Sequence, residues 1–217
     1  MPDQKPTTVS SQVPSQVSPL PFYCLAAVTA TATLALSPFL LTPMLPRRLF
    51  GALPYQHTPR EKLDVAFKLL SKHGALAPET SSSRRRLKFV DLGSGAGEAV
   101  LMASRKGFDA LGVEINPTLL AISQASRLFS RTNPGTARFS SSNLLTLPYS
   151  SFDVIFLFGV KPLLSQLEPK LINEVKPSGH LLLYRFTLPA TAAYNDKYEI
   201  LERDGEMTLY RRVVEQT

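Results

Sequence analysis

Apolar and polar positions alternate in three different ways along the chain. Residues 1–20, MPDQKPTTVSSQVPSQVSPL, are rich in Ser, Pro, Thr and Gln and have too few apolar positions to build a core, so a disordered leader is expected. From Pro6 to Pro46 no Lys, Arg, Asp or Glu occurs. Phe22 to Leu45 is long enough to span a bilayer at about 1.5 Å of helical rise per residue. Pro38 and Pro43 would bend or end that helix late, and Arg47 and Arg48 at its edge favour keeping the following domain on the cytoplasmic or matrix side. A secretory signal would need a basic leading region, and a transit peptide would need arginines before residue 47. Residues 21–46 are therefore expected to be an uncleaved membrane anchor, with a buried soluble helix as the plain alternative, and residues 47–217 the functional domain.

Beyond Arg48 the pattern becomes periodic. In 59-PREKLDVAFKLLSKHG-74 the apolar positions Leu63, Ala66, Phe67, Leu69 and Leu70 recur at helical spacing, with Pro59 to open the helix and Gly74 to close it. After a polar loop at 75–86 come a short strand, Leu87–Asp91, a helix, Gly97–Lys106, and a second strand, Asp109–Glu114. A helix over Pro117–Ser130 follows, with Asn116 as its N-cap. Ala137–Ser140 reads as a weak third strand. The continuous apolar runs Phe152–Phe158 and His180–Phe186 read as buried strands, separated by a helix over Leu163–Val175 interrupted near Pro169. Tyr198–Arg203 and Glu206–Val213 flank Asp204-Gly205, a hairpin signal. Strands alternating with helices imply a mostly parallel sheet, here ending on an antiparallel hairpin.

Charge and composition narrow the chemistry. The formal net charge is +7, and because Asp3 and Lys5 cancel, the whole excess lies on residues 47–217. That suits anionic lipid or an acidic partner; the absence of aromatic-interleaved basic motifs argues against nucleic acid. The single cysteine, Cys24, excludes an internal disulfide. His57, His73 and His180 have no metal-ligand spacing, so no metal is expected.

The turn after the first strand, 91-DLGSGAGE-98, carries the candidate chemistry. A dinucleotide fingerprint starting at Gly93 and Gly95 requires a third glycine at position 98, where this chain has Glu98. A carboxylate at a helix start is a poor neighbour for a pyrophosphate, which counts against the rival reading of an NAD-dependent oxidoreductase. The D-x-G-x-G-x-G pattern suits a ligand whose amino-acid end carries an ammonium and a carboxylate: S-adenosylmethionine. Asp91 is placed to meet the ammonium, the Gly93–Gly97 backbone to lie along the methionine part, and Glu114 to accept both ribose hydroxyls. The cofactor set expected from the turn and the strand tip is Asp91, Gly93, Ser94, Gly95, Gly97, Glu114 and Asn116. No Ser/His/Asp or Cys/His set accompanies it, and methyl transfer to an amine requires none, since alignment of a neutral amine does most of the work.

From about Leu53 onward the chain resembles the small mitochondrial protein-lysine methyltransferases that modify the ATP synthase c-subunit and the adenine nucleotide translocase. The resemblance rests on 54-PYQHT-58, on Asp91 to Gly97, on 105-RKGFDALGVEINP-117, on 154-VIFLFGVKPLLSQLEPKL-171 and on Arg185-Phe186. It implies a Rossmann-like, seven-strand class I methyltransferase sheet, mostly parallel with a C-terminal antiparallel hairpin and preceded by a hydrophobic segment. It also implies a protein substrate, methylated on a lysine of a mitochondrial membrane protein, and an inner-membrane enzyme facing the matrix. The acceptor is expected over the tip 158-FGVKP-162, with the carbonyls of Phe158 and Gly159 orienting the amine and Tyr55 walling the pocket. The resemblance adds Asn143 and Leu144 to the expected cofactor set, with Asn143 at the adenine edge. Two positions depart from the family pattern: Ala96 stands where an acid is usual, and Asn143 where an aspartate is. They keep open a second reading, a membrane-anchored methyltransferase-like scaffold of weak activity.

Overall fold

The computed structural model describes residues 58–76, 85–132, 134–158 and 161–214, all within the unit Pro46–Thr217. The expected leader and anchor, Arg47, Arg48, Tyr55 and Gly159 lie outside the described residues.

Helix α1 (Arg60–Lys72) buries the face expected of it, Leu63, Ala66, Phe67, Leu69 and Leu70. Glu61 in its first turn and Lys72 in its last complement the helix dipole. It ends where Gly74 adopts φ +69, and the Ala75 amide then donates back to the Leu70 carbonyl at 2.8 Å, a glycine-dependent helix stop. Strand β1 (Lys88–Leu92) leads into helix α2 (Glu98–Arg105), β2 (Asp109–Val113), helix α3 (Pro117–Leu128) and β3 (Thr136–Ser140). After a 3-10 turn at Tyr149–Ser151 come β4 (Val154–Phe158), helix α4 (Lys161–Asn173), β5 (His180–Tyr184), the short α5 (Ala192–Asn195) and the pair β6 (Tyr198–Asp204) and β7 (Met207–Arg212).

The seven strands form one sheet in the order β3-β2-β1-β4-β5-β7-β6. The first five run parallel; β7 is antiparallel to β5 and to β6. The order reverses between β1 and β4, which creates the crevice at the carboxyl ends of the strands where such sheets bind ligands. One face of the sheet is covered by an aromatic cluster in which Phe67 of α1 meets Phe89 and Phe108 at centroid distances of 5.8 and 6.3 Å. The other face holds Val90, Leu92, Ile155, Leu157 and Leu181 against Leu164, Leu167 and Leu171 of α4. Alternation along β1 sends Phe89 into the first cluster and Val90 and Leu92 into the second, as the two-residue strand period dictates.

Strand boundaries fall within two residues of expectation, with three instructive departures. Helix α4 runs without a break through Pro169. A proline inside a helix costs about 3 kcal/mol, but α4 also buries Leu164, Leu167 and Leu171, each worth roughly 1.5–3 kcal/mol. Strand β5 stops at Tyr184, two residues early, because Arg185 turns to φ 67. The hairpin loop is Gly205-Glu206 rather than Asp204-Gly205: Asp204 and Met207 are the last paired residues, and Gly205 supplies φ +57.

Candidate active site

The cleft begins at the β1–α2 turn, where three glycines take left-handed conformations: Gly93 at φ +89, Gly95 at +53 and Gly97 at +90. Two of them serve different ends. A Cβ at Gly97 would stand 2.5 Å from Cζ of Phe139, whose ring comes up from β3 beneath the turn. A Cβ at the exposed Gly93 would meet nothing within 4 Å and would project into open space. The first glycine closes the floor, and the second leaves room above it.

The turn is tied down by its own protein. The amides of Gly93 and Ser94 both donate to the Val113 carbonyl at 2.9 and 3.0 Å, and that of Gly97 to Ser94 at 2.8 Å. The amide of Gly95 donates to Oε2 of Glu114 at 2.9 Å. Dinucleotide binding relies on such amides being available to a pyrophosphate. Here they are spoken for, and Glu98 occupies the first turn of α2, so the geometry disfavours NAD on a ground that composition did not supply.

Glu114, only 8 % exposed, directly follows β2 and also accepts the Asn116 amide at 2.8 Å through Oε1. Each carboxylate oxygen retains a lone pair for a ribose hydroxyl. Asp91 lies 4 % exposed at the end of β1, and burial, with Glu114 adding repulsion, pushes its carboxyl up to about 8. Two buried carboxyls beside an open glycine make a site that is short of positive charge. The ammonium and sulfonium of S-adenosylmethionine supply it, and the residues therefore fit this cofactor. Asp91 would hold the amino-acid end and Glu114 the ribose.

The other expected cofactor residues divide. The Ser94 hydroxyl, buried and without a hydrogen-bond partner among the described residues, lies against β2, 2.6 Å from where Gly112 would carry a Cβ. The side chain thus packs on the sheet, and only its backbone belongs to the turn. Asn116 caps α3, its Oδ1 accepting from Thr118 and Leu119 at 2.9 and 3.3 Å. The exposed Asn143 uses Oδ1 to accept the Leu145 amide at 2.9 Å, while the half-buried Leu144 packs on the core beside it.

At the neighbouring tips the chemistry is aromatic. The Phe158 and Tyr184 rings lie 4.8 Å apart, and the Arg185 guanidinium sits 5.6 and 5.5 Å from their centroids. Its backbone amide donates to the Glu206 carbonyl at 2.8 Å, and Nε lies 3.5 Å from the Glu206 carboxylate. Beside it opens a cavity of about 530 Å³ lined by Ser165, Glu168, Arg185, Thr187 and Tyr194 among others. Neither the cavity nor the role of Phe139 is legible in the sequence. Arg185 stands out there only as part of a motif, since nothing in an arginine signals a left-handed backbone.

Residues 91–195 match the family model of the ANTKMT methyltransferase domain. The lysine N-methyltransferase of the ATP synthase c-subunit from Caenorhabditis elegans is 29% identical over 188 residues, covering 87% of this chain and 95% of that protein. The human protein of the same name is 37% identical over 105 residues, covering 48% of this chain and 45% of its own length. This chain thus aligns with nearly the whole nematode protein but with less than half of the human one. Among solved structures, an RNA methyltransferase of Salinibacter ruber in complex with S-adenosylhomocysteine superposes at a TM-score of 0.57, with 22% identity, covering 75% of this chain and 96% of that one. Magnesium protoporphyrin IX methyltransferase from Synechocystis with bound S-adenosylmethionine does so at 0.55, with 14% identity, covering 70% and 78%. At those identities the two structures speak for the fold alone. Residues 91–195 are thus similar to the ANTKMT methyltransferase domain, and the residues gathered at the turn fit S-adenosylmethionine.

Proposed function

We propose that the chain methylates the ε-amine of a lysine on a mitochondrial inner-membrane protein, with the c-subunit of ATP synthase as the first candidate and the adenine nucleotide translocase as the second. The observation that carries the reading is the pair of buried carboxyls, Asp91 and Glu114, at an open glycine turn, in a chain that aligns with 95% of a nematode c-subunit lysine methyltransferase. The bound cofactor supplies an electrophilic methyl group. The chain's part is to bind and aim: Asp91 and Glu114 fix the two ends of the cofactor, and the acceptor amine approaches over the β4 tip at Phe158; the adjacency of β4 to β1 supports this. Transfer needs that amine neutral and aligned, so exclusion of water by the Phe158–Tyr184 pair favours the reactive form. Gly159 and Tyr55 remain candidates for completing the acceptor wall.

In this reading residues 21–46 anchor the enzyme in the inner membrane with its domain in the matrix, raising the effective concentration of a membrane-bound substrate. Among the described residues no helix is long and apolar enough to cross a membrane, and the proposed anchor lies outside them. Mass spectrometry of inner-membrane proteins from cells with and without the gene tests the activity: the methyl mark on a c-subunit lysine should vanish without it. Persistence of every lysine mark would overturn the proposal. Deleting residues 1–46 should spare S-adenosylhomocysteine binding and sharply reduce methylation in cells. Release of the full-length protein by alkaline extraction would refute the anchor, and protease access to the domain in intact mitoplasts would refute the topology.

A further inference from the structure

The charge excess has a location. The end of α2 carries Arg105 and Lys106, the end of α3 carries Arg127 and Arg131 on either side of Leu128 and Phe129, and the edge strand β3 carries Arg138. These segments are neighbours in space. Nε of Arg105 donates to the Arg131 carbonyl at 3.3 Å, a guanidinium nitrogen of Arg127 donates to the Ala137 carbonyl at 3.4 Å, and a Cβ on Gly107 would meet Pro134 at 3.7 Å. All five cationic residues, Arg105, Lys106, Arg127, Arg131 and Arg138, are exposed. The acid on the neighbouring β2, Asp109, accepts the Thr136 hydroxyl at 3.0 Å and lies 3.8 Å from Arg86, so its charge is already matched.

Within this basic field stand two large apolar side chains that the fold leaves in water, Leu128 at 75 % and Phe129 at 91 % exposure. Helix α3 explains how: of its twelve residues only Ser123 is buried, so the helix rests lightly on the sheet and its last turn leaves Leu128 in water. Exposed aromatic and aliphatic groups ringed by arginine, without acids among them, match the layered chemistry of an anionic bilayer surface, where phosphates meet the cations and the acyl boundary receives the rings. A nucleic-acid surface would use the cations but gives Leu128 no partner.

We infer that this edge, built on Arg105, Lys106, Arg127, Leu128, Phe129 and Arg131, docks the domain onto a membrane rich in anionic lipid. The surface belongs to the starts of β2 and β3, whereas the cofactor residues Asp91 and Glu114 stand at the strand ends, so docking and cofactor binding do not compete. The inference depends neither on the acceptor nor on the proposed anchor.

A local probe separates this surface from any other membrane contact of the full chain. In a Cys24→Ser background, an environment-sensitive fluorophore is attached at Ser130→Cys or, as a control, at Ile200→Cys on the opposite edge strand. Vesicles of phosphatidylcholine with phosphatidylglycerol should blue-shift and brighten the probe at 130 and leave the probe at 200 unchanged. Pure phosphatidylcholine vesicles should affect neither. Reversing Arg127 and Arg131 to Glu should weaken the response about tenfold or more, at roughly one basic-residue contribution per charge, and Phe129→Glu should abolish it. Thermal unfolding and S-adenosylhomocysteine affinity of each variant should stay at the parental values. Silence at 130, an equal response at 200, an equal response to neutral vesicles, or survival of the signal in Phe129→Glu overturns the inference. A response to single-stranded RNA that vesicles cannot displace would overturn it in favour of nucleic acid.

Discussion

The tips of β1 and β2 and the tips of β4 and β5 lie side by side in one crevice, yet they are built on opposite plans. At the first pair, backbone amides and a carboxylate are locked together: Gly93, Ser94, Gly95 and Asn116 all donate to Val113 or Glu114. At the second pair there is ring on ring, with Arg185 laid over Phe158 and Tyr184 beside a roomy cavity. The polar end fits one small molecule, whose atoms would dictate where each donor and acceptor stands. The aromatic end shapes a surface and a local dielectric rather than a bonding pattern, so its residues can vary without a change of reaction class.

Substitutions can break this contrast. The largest effect should come from the floor of the polar end. Gly97→Val sets a β-branched residue at φ +90 and drives its Cβ into Phe139. A loss of roughly 2–5 kcal/mol by chemical denaturation is expected, partly recovered in combination with Phe139→Leu. A loss under about 1 kcal/mol would show that the turn yields easily and that the polar end is not rigid.

Asp91→Asn should come next, weakening S-adenosylhomocysteine about a hundredfold by calorimetry through loss of a buried charge partner for the ammonium. The same variant has a signature in the free protein. Because the folded carboxyl titrates near 8 and an unfolded one near about 3.9, the native state holds this proton more tightly. The contribution of Asp91 to stability is therefore greatest in acid, falls as pH rises through that interval, and is level above it. The Asn variant should lack this part of the decline, and its thermal midpoint should exceed the parent's at pH 8 in the absence of ligand. An identical pH profile for the two proteins would remove Asp91 from the charge argument.

Glu114→Ala should cost roughly thirtyfold in cofactor affinity, about 2 kcal/mol for lost bonds to a charged acceptor. Unlike a residue that only touches ligand, it should also lower the unfolding midpoint, because the Gly95 and Asn116 amides lose their acceptor. Glu114→Gln, which puts a donor where one amide points, should not rescue both properties. The smallest effect belongs to the aromatic end. Phe158→Leu is expected to leave cofactor affinity within about twofold and to cost about 1 kcal/mol of stability, while acceptor turnover falls. A large cofactor defect there would erase the division between the two ends.

The same division explains what can be read from the chain alone. Turn glycines, strand-tip acids and the alternation of helix and strand are local signals, because each follows from backbone conformations or side-chain periods within a few residues. Asp91 and Glu114 are visible for that reason. The second task of Glu114, holding the turn, is not, since it depends on β2 lying in parallel register beside β1, with Leu92 opposite Val113. Phe139 carries no mark of its position under Gly97, because the contact spans two strands. Pro169 argues locally for a break that the buried leucines of α4 override. The Phe158 neighbourhood is legible only through a family resemblance, as a ring in a strand reads equally well as core.

The strand order also has a consequence for how the protein is made. Strand β6 is synthesised before β7, yet among the described residues its one neighbour in the sheet is β7. It therefore has nowhere to pair until residues 207–212 have left the ribosome. For the same interval β5, the segment HLLLY, has β4 on one side and an unsatisfied edge on the other. Such an edge, apolar and unpaired, is open to pairing with another chain. The nascent domain thus carries an adhesive surface until Tyr198–Arg212 fold back as a hairpin, and chaperone contact during translation should concentrate on His180–Tyr184.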